Sequence, residues 1–262
     1  MSQENKRQKG RKERLQTRRD SRFLPIRSYL IIKGDIYLQD LIPSLDKAEV
    51  LRYLGHRGTE IPASLDALID RCIDETIRTI NPKYLYKRFS LHRTEDGIEL
   101  AGSPVVLRGN DIAQHLANCE EAYLLCVTIG FEIEKTIRLK MLTAPDEGVI
   151  FDSCASTAVE HLADYAEREI VRLAAAERLN ITWRFSPGYG DLPLDTQKSI
   201  ISTMDTHRKI GLSLNESLLL TPNKSVTAII GLTDTKRDPR SNKCDYCNNR
   251  EHCAFRKRGT QC

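Results

Sequence analysis

One helical pattern constrains this chain more than any other feature. Over residues 147–178, Phe151, Ala155, Ala158, Leu162, Ala166 and Leu173 repeat on a single stripe. Strand-like runs occur at 83–92, 104–107, 122–130 and 181–185, and two more, 214–220 and 225–232, are separated by the turn Thr221-Pro222-Asn223-Lys224. Further helices are predicted at 63–80, where Leu65, Leu68, Ile69, Cys72, Ile73, Ile77 and Ile80 keep three-and-four spacing, and near 110–118 and 195–204. Helices and strands do not alternate regularly. The expectation is therefore an α+β fold, with helices packed on a twisted antiparallel sheet, rather than a doubly wound one. No internal repeat is present.

Charge divides the chain into three. Residues 1–22 carry a net charge of +6 and residues 236–262 a net charge of +5, while residues 23–235 carry −7. The expected organisation is a basic tail (1–22), a globular α+β domain (23–235) and a Cys-rich basic tail (236–262). With 40% hydrophobic and 29% charged residues, the chain has the composition of a soluble globular protein. No stretch approaches the roughly 18 uncharged apolar residues of a membrane span. The first 22 residues contain no apolar segment, so the expectation is a chain without a secretory signal and a cytoplasmic location.

The tract Arg184-Phe-Ser-Pro-Gly-Tyr-Gly-Asp-Leu-Pro-Leu-Asp-Thr-Gln-Lys-Ser-Ile200 carries the most chemistry. Pro187-Gly188 forces a turn, because Pro fixes φ and Gly accepts positive φ. Such a turn lets backbone amides approach a ligand. Arg184 and Tyr189 bring a bidentate carboxylate binder and an amphipathic ring to the same loop. Asp195 stands at the expected N-cap of the following helix. On these grounds the tract is either an ordinary strand–turn–helix connection or a ligand loop.

These residues resemble the S-adenosylmethionine-binding activation domain of cobalamin-dependent methionine synthase. That family's fingerprint, Arg-Pro-Ala-Pro-Gly-Tyr-Pro followed by Thr-Glu-Lys, is matched at Arg184, Pro187, Gly188, Tyr189, Thr196 and Lys198. The match continues through Gly211, Leu214, Glu216 and Ser217 to Pro222, Ser225 and Val226 without a gap. Upstream, the run from Cys154 to Glu169 is similar to a family helix that supplies a glutamate, which falls here on Glu160. On a helical wheel Glu160 lies opposite the apolar stripe with Ser153, Ser156, Asp164 and Glu167, so this face is either solvated or lines a cleft. The family's Asp-x-His-x-x-Gly cobalamin signature and its amino-terminal Asp-Trp-x-Pro-Phe-Phe tract do not occur in this sequence.

The resemblance implies an activation domain made as a separate polypeptide, meeting its corrinoid on another protein. The implied reaction reduces a stalled cob(II)alamin and remethylates it from S-adenosylmethionine, the cobalt being the nucleophile. Such a protein positions a sulfonium methyl and needs no base of its own. Arg184 would hold the ligand carboxylate and Glu160 its ammonium or ribose. Ser186, Pro187, Gly188 and Tyr189 would supply the loop contacts.

Half of the eight cysteines fall in the last 19 residues, as Cys244-x2-Cys247-x5-Cys253-x8-Cys262, where about 0.6 would fall by chance. In a reducing compartment such a cluster binds metal more often than it forms disulfides. Zinc would make a structural knuckle and an iron–sulfur cluster an electron relay, with His252 as a substitute ligand. The expectation favours iron–sulfur, because the implied reduction needs a low-potential electron and the chain has no flavin fingerprint; otherwise an electron donor must come from elsewhere. Cys72, Cys119, Cys126 and Cys154 sit in apolar patterns and are assigned to core packing. The alternative function is a nucleic-acid-binding protein with basic tails and a zinc knuckle. Against it stand the acidic body and the lack of aromatics interleaved in the basic tail, so nucleic acid is not the expected partner.

Overall fold

A computed structural model describes residues 29–31, 42, 44–56, 58 and 60–235. Its backbone is a long strand, β2 (Lys83–Thr94), that serves two neighbours in succession. Lys83–Ser90 pairs with β5 (Cys119–Thr128), and Leu91–Thr94 pairs with β3 (Gly97–Leu100). The short strand β1 (Tyr29–Ile31) lies along Tyr84–Tyr86. β5 also pairs with β9 (Ser225–Thr233), β9 with β6 (Asn180–Ile181), and β3 with β4 (Val106–Leu107). Every pairing is antiparallel, giving the order β4-β3-β2-β5-β9-β6 with β1 beside β2. The α+β expectation is met.

β5 and β9 are buried on both faces, which explains why their sequences read as nearly continuous apolar runs rather than alternating ones. Alternate side chains feed two separate cores. Tyr123, Leu125, Val127, Ala228, Ile230 and Leu232 face one of them. Leu124, Cys126, Ala122 and Ile229 face the other. The first core lies under four helices: α1 (Lys47–Tyr53), α2 (Ala63–Thr79), α4 (Glu132–Thr143) and α5 (Pro145–Ala176). The second is closed by α3 (Asn110–His115), α6 (Thr196–Met204) and α7 (Thr206–Ile210), through Ile112, Ile200, Met204 and Ile210.

α5 spans 32 residues, about 48 Å, and packs across β2, β5, β9 and β6. Pro145 opens it, and Asp146 and Glu147 in its first turn complement the helix dipole. Phe151, Ala155, Ala158, Leu162 and Ala166 are fully buried. The alanines let the helix axis sit close to the strands beneath it.

Several predicted elements differ in extent. The run 214–220 is not one strand. It is a ribbon of two-residue strands, β7 (Ser213–Leu214) and β8 (Leu220–Thr221), around a turn in which the Asn215 side chain accepts from Leu219 N at 2.9 Å. An asparagine that bonds its own neighbouring backbone competes with strand pairing. The run 181–185 is strand only over β6, resuming as a single bridge between Phe185 and Ile229. Asp195 makes no side-chain cap, because its own φ of −66° and ψ of −18° are already helical; the turn is closed by Lys198 N donating to Asp195 O at 3.0 Å. The predicted tails 1–22 and 236–262 lie outside the described residues, as do Cys244, Cys247, His252, Cys253 and Cys262. The remaining four cysteines are buried free thiols. Burial pushes Cys119 up to about 11 and Cys126 and Cys154 up to about 12, so these are packing groups and not nucleophiles.

Candidate functional site

The segment from Thr182 to Tyr189 runs along the sheet edge beside β9. Thr182 N donates to Gly231 O at 2.9 Å, and Phe185 exchanges bonds with Ile229 at 3.0 and 2.8 Å. Extended backbone alternates its side chains. Phe185 therefore enters the second core, and Arg184 turns the other way, onto the polar face of α5.

Arg184 meets three carboxylates there. Its Nη2 is 3.0 Å from Glu160 Oε2, and its Nη1 is 2.8 Å from Asp164 Oδ1 and 3.4 Å from Glu167 Oε2. Residues 160, 164 and 167 are successive members of one helical face, so one guanidinium can span them. Only 10% of the Arg184 side chain is exposed, against 46% for Glu160 and 56% for Asp164. Nη1 is buried and, despite its ion pairs, makes no hydrogen bond of good angle. One turn and more toward the N-terminus of α5, Lys224 Nζ lies 2.9 Å from both Asp152 Oδ1 and Ser156 Oγ. Thus the α5 face predicted to be either solvated or part of a cleft is capped by two cations from the β9 side. In these direct pairs four carboxylates share two cations.

Two further groups bear on this face. Tyr53, from α1, has its hydroxyl pKa raised by burial first and by the Glu160 charge second, and the Arg52 guanidinium stands 4.3 Å over its ring. His161 is held below its ordinary pKa by burial and then by Arg168, with Asp164 opposing. It is therefore mainly neutral at pH 7 and adds no full positive charge to the face.

The loop that follows is tied to itself. Tyr189 N donates to Ser186 O at 3.0 Å, Gly188 N to Leu192 O at 2.9 Å, and Gly188 has the positive φ, +89°, predicted for the turn. Pro187 is buried, Ser186 is half-buried, and Gly188 and Tyr189 are exposed. The Tyr189 ring meets Phe185 edge-on at 6.3 Å and through it joins an aromatic group in which His115 lies 4.7 Å from Trp183 and 5.0 Å from Phe185. Of the residues singled out from sequence, Glu160 and Arg184 are in direct contact, and Ser186–Tyr189 continues from Arg184 toward this aromatic group. Asp164 and Glu167 were seen to share the face of Glu160, but their pairing with Arg184 was not foreseen. Lys224 and Tyr53 went unnoticed. Among the described residues there is no group of three or more His, Cys, Asp or Glu side chains arranged to hold a metal.

The architecture is that of an α+β domain whose antiparallel sheet is crossed on one face by a long helix, with an arginine-bearing edge segment beside it. A solved structure similar in fold is "Crystal Structure of the MetH Reactivation Domain bound to AdoHcy", with a TM-score of 0.62 over 91% of this chain and 87% of that one. Sequence identity is 16%, so the likeness is one of fold. No family model matches the chain, and a search of curated proteins finds no match.

Proposed function

We propose that this chain binds S-adenosylmethionine where the edge segment from Arg184 to Tyr189 meets the polar face of α5, and that it is the activation component of a corrinoid methyltransferase of the methionine synthase type. The observation that carries the reading is Arg184, nine-tenths buried and set against three carboxylates. S-adenosylmethionine has one carboxylate, an ammonium and a sulfonium, a net charge of +1. Its carboxylate suits the planar donors of Arg184, taking the place of one of the exposed acids now paired with them. Its cationic groups suit the exposed acids, Glu160 foremost, which would hold the ammonium or ribose. Ser186, Pro187, Gly188 and Tyr189 would offer backbone and ring contacts. The structural neighbour was solved with AdoHcy, the methyl-transfer product of that ligand, which supports the same reading.

In this reading the corrinoid, cobalamin on a partner protein, supplies the nucleophile. The residues of this chain have only to hold the ligand, orient its methyl group and limit water. Among the described residues no helix is long and apolar enough to cross a membrane, and a cytoplasmic setting accords with the reading. The Cys244, Cys247, Cys253 and Cys262 thiols would hold an iron–sulfur cluster that helps deliver an electron, with zinc as the redox-silent alternative.

Two measurements test this. Calorimetry is expected to detect S-adenosylmethionine binding; RNA binding with a steep salt dependence and no S-adenosylmethionine binding would instead favour the nucleic-acid reading. Anaerobically purified protein is expected to be coloured and to contain iron. Colourless protein with stoichiometric zinc would leave a structural knuckle.

A further inference from the structure

The segment 182–191 is gripped at both ends by one short element. At its start, Thr182 Oγ1 accepts from Gly231 N at 2.8 Å and lies 2.9 Å from Nε2 of His115, the last residue of α3, whose ring also packs on Trp183 and Phe185. At its end, the Asp191 carboxylate accepts from the backbone amides of Asn110 at 2.6 Å and Asp111 at 3.0 Å, the first residues of α3. The Asp111 carboxylate returns the bond, accepting from Asp191 N at 3.2 Å. The lock is closed tightly on both sides. Gly109 has φ of +128° and a Cβ there would overlap the Asp191 carboxylate; Gly190 has φ of +53° and a Cβ there would overlap the Asp111 carboxylate. Two aspartates and two glycines far apart in sequence thus form one reciprocal joint.

We propose that α3 is a strap that sets the Ser186–Tyr189 loop, and that Asp191 is the positioning residue that fastens it. This rests on the reading that the loop meets the ligand. The loop's own bonds fix its shape, Gly188 N to Leu192 O and Tyr189 N to Ser186 O. They do not fix where that shape stands relative to Arg184. Asp191 does so by anchoring the loop's exit to the backbone of a second element, while His115 anchors its entry. A carboxylate that accepts two amides, one on each oxygen, has no substitute in alanine, whereas asparagine keeps one acceptor oxygen and turns its NH2 toward the other amide.

Trp183 is the sole tryptophan of the chain and lies inside the strapped segment, so its emission reports on the joint without any ligand. The experiment compares wild type, Asp191→Ala, Asp191→Asn and Gly190→Ala by Trp183 emission and quenching, thermal midpoint and calorimetry with S-adenosylmethionine. Asp191→Ala is expected to expose Trp183 to quencher and to weaken S-adenosylmethionine about tenfold, the scale of one charge-assisted hydrogen bond. Asp191→Asn is expected to restore only part of both losses, since one of the two backbone amides then faces an NH2 donor. Gly190→Ala is expected to reproduce them with Asp191 in place, and it keeps the test available if Asp191→Ala does not fold. If wild type binds no S-adenosylmethionine yet Trp183 responds to these variants in the stated order, the strap stands and the ligand reading falls. Trp183 quenching and affinity unchanged in Asp191→Ala and Gly190→Ala overturn the strap, whatever happens to thermal stability.

Discussion

Arg184→Ala is expected to weaken S-adenosylmethionine binding by between tenfold and a hundredfold. A hydrogen bond between charged partners contributes about 1.5–3 kcal/mol, and each 1.4 kcal/mol is a factor of about ten in affinity. Arg184→Lys is expected to recover little, because an ammonium cannot present the planar pair of donors that spans a carboxylate or bridges acids on successive helical turns. The variant also removes the cation that lies between Glu160, Asp164 and Glu167. Breaking a fully buried pair costs about 3–5 kcal/mol, but Glu160 and Asp164 are half in water and regain hydration, so the loss of stability is expected to be well below that figure. Glu167, more deeply placed, carries most of the loss. Calorimetry and a thermal melt separate the two effects. Wild-type affinity in Arg184→Ala would remove this residue from the site.

Elements with a strong local pattern were readable from sequence. Five of the six residues of the α5 stripe are buried and Leu173 is partly so, although the buried face is wider and takes in Cys154, Val159, Ala163 and Ile170; the apolar runs at 122–130 and 225–232 announced the strands β5 and β9. α4 escaped because Leu139 and Leu142, on its exposed side, spoil the amphipathic pattern that Ile133 and Ile137 would otherwise make. α1 and β3 did carry signals. Asp46 caps α1 by accepting from Ala48 N, with Glu49 three residues on in the manner of a capping box, and Asp96-Gly97 marks the tight turn into β3. The site was half legible. Arg184 and Glu160 stood out as residue types and by resemblance, but their contact depends on β6 and its continuation pairing with β9, a partnership that no local pattern encodes. The same is true of Lys224 and of the joint between Asp191 and Asp111.

The seating of α5 underlies all of this, since its polar face can meet Arg184 only if its apolar face is locked to the sheet. Phe151→Ala is expected to destabilise the protein by about 3–5 kcal/mol, the usual cost of emptying a phenylalanine site in a core. That is a large share of the roughly 5–15 kcal/mol that holds a typical domain together. Phe151 is fully buried in the core between the helix layer and the sheet. Lys140 Nζ lies 5.3 Å from its ring centroid, held there by Glu75 at 2.9 Å and Glu147 at 3.0 Å. Truncation would open a cavity and strip the lysine of the ring face at the same time, so relaxation of neighbouring side chains can recover only part of the loss. Phe151→Leu keeps most of the volume and is expected to cost less than half as much. Urea denaturation followed by circular dichroism measures both, with an unchanged dependence on denaturant showing that the unfolded state is the same. A loss below about 1 kcal/mol for Phe151→Ala would mean that α5 is not anchored through this ring, because surface substitutions alone shift stability by that little.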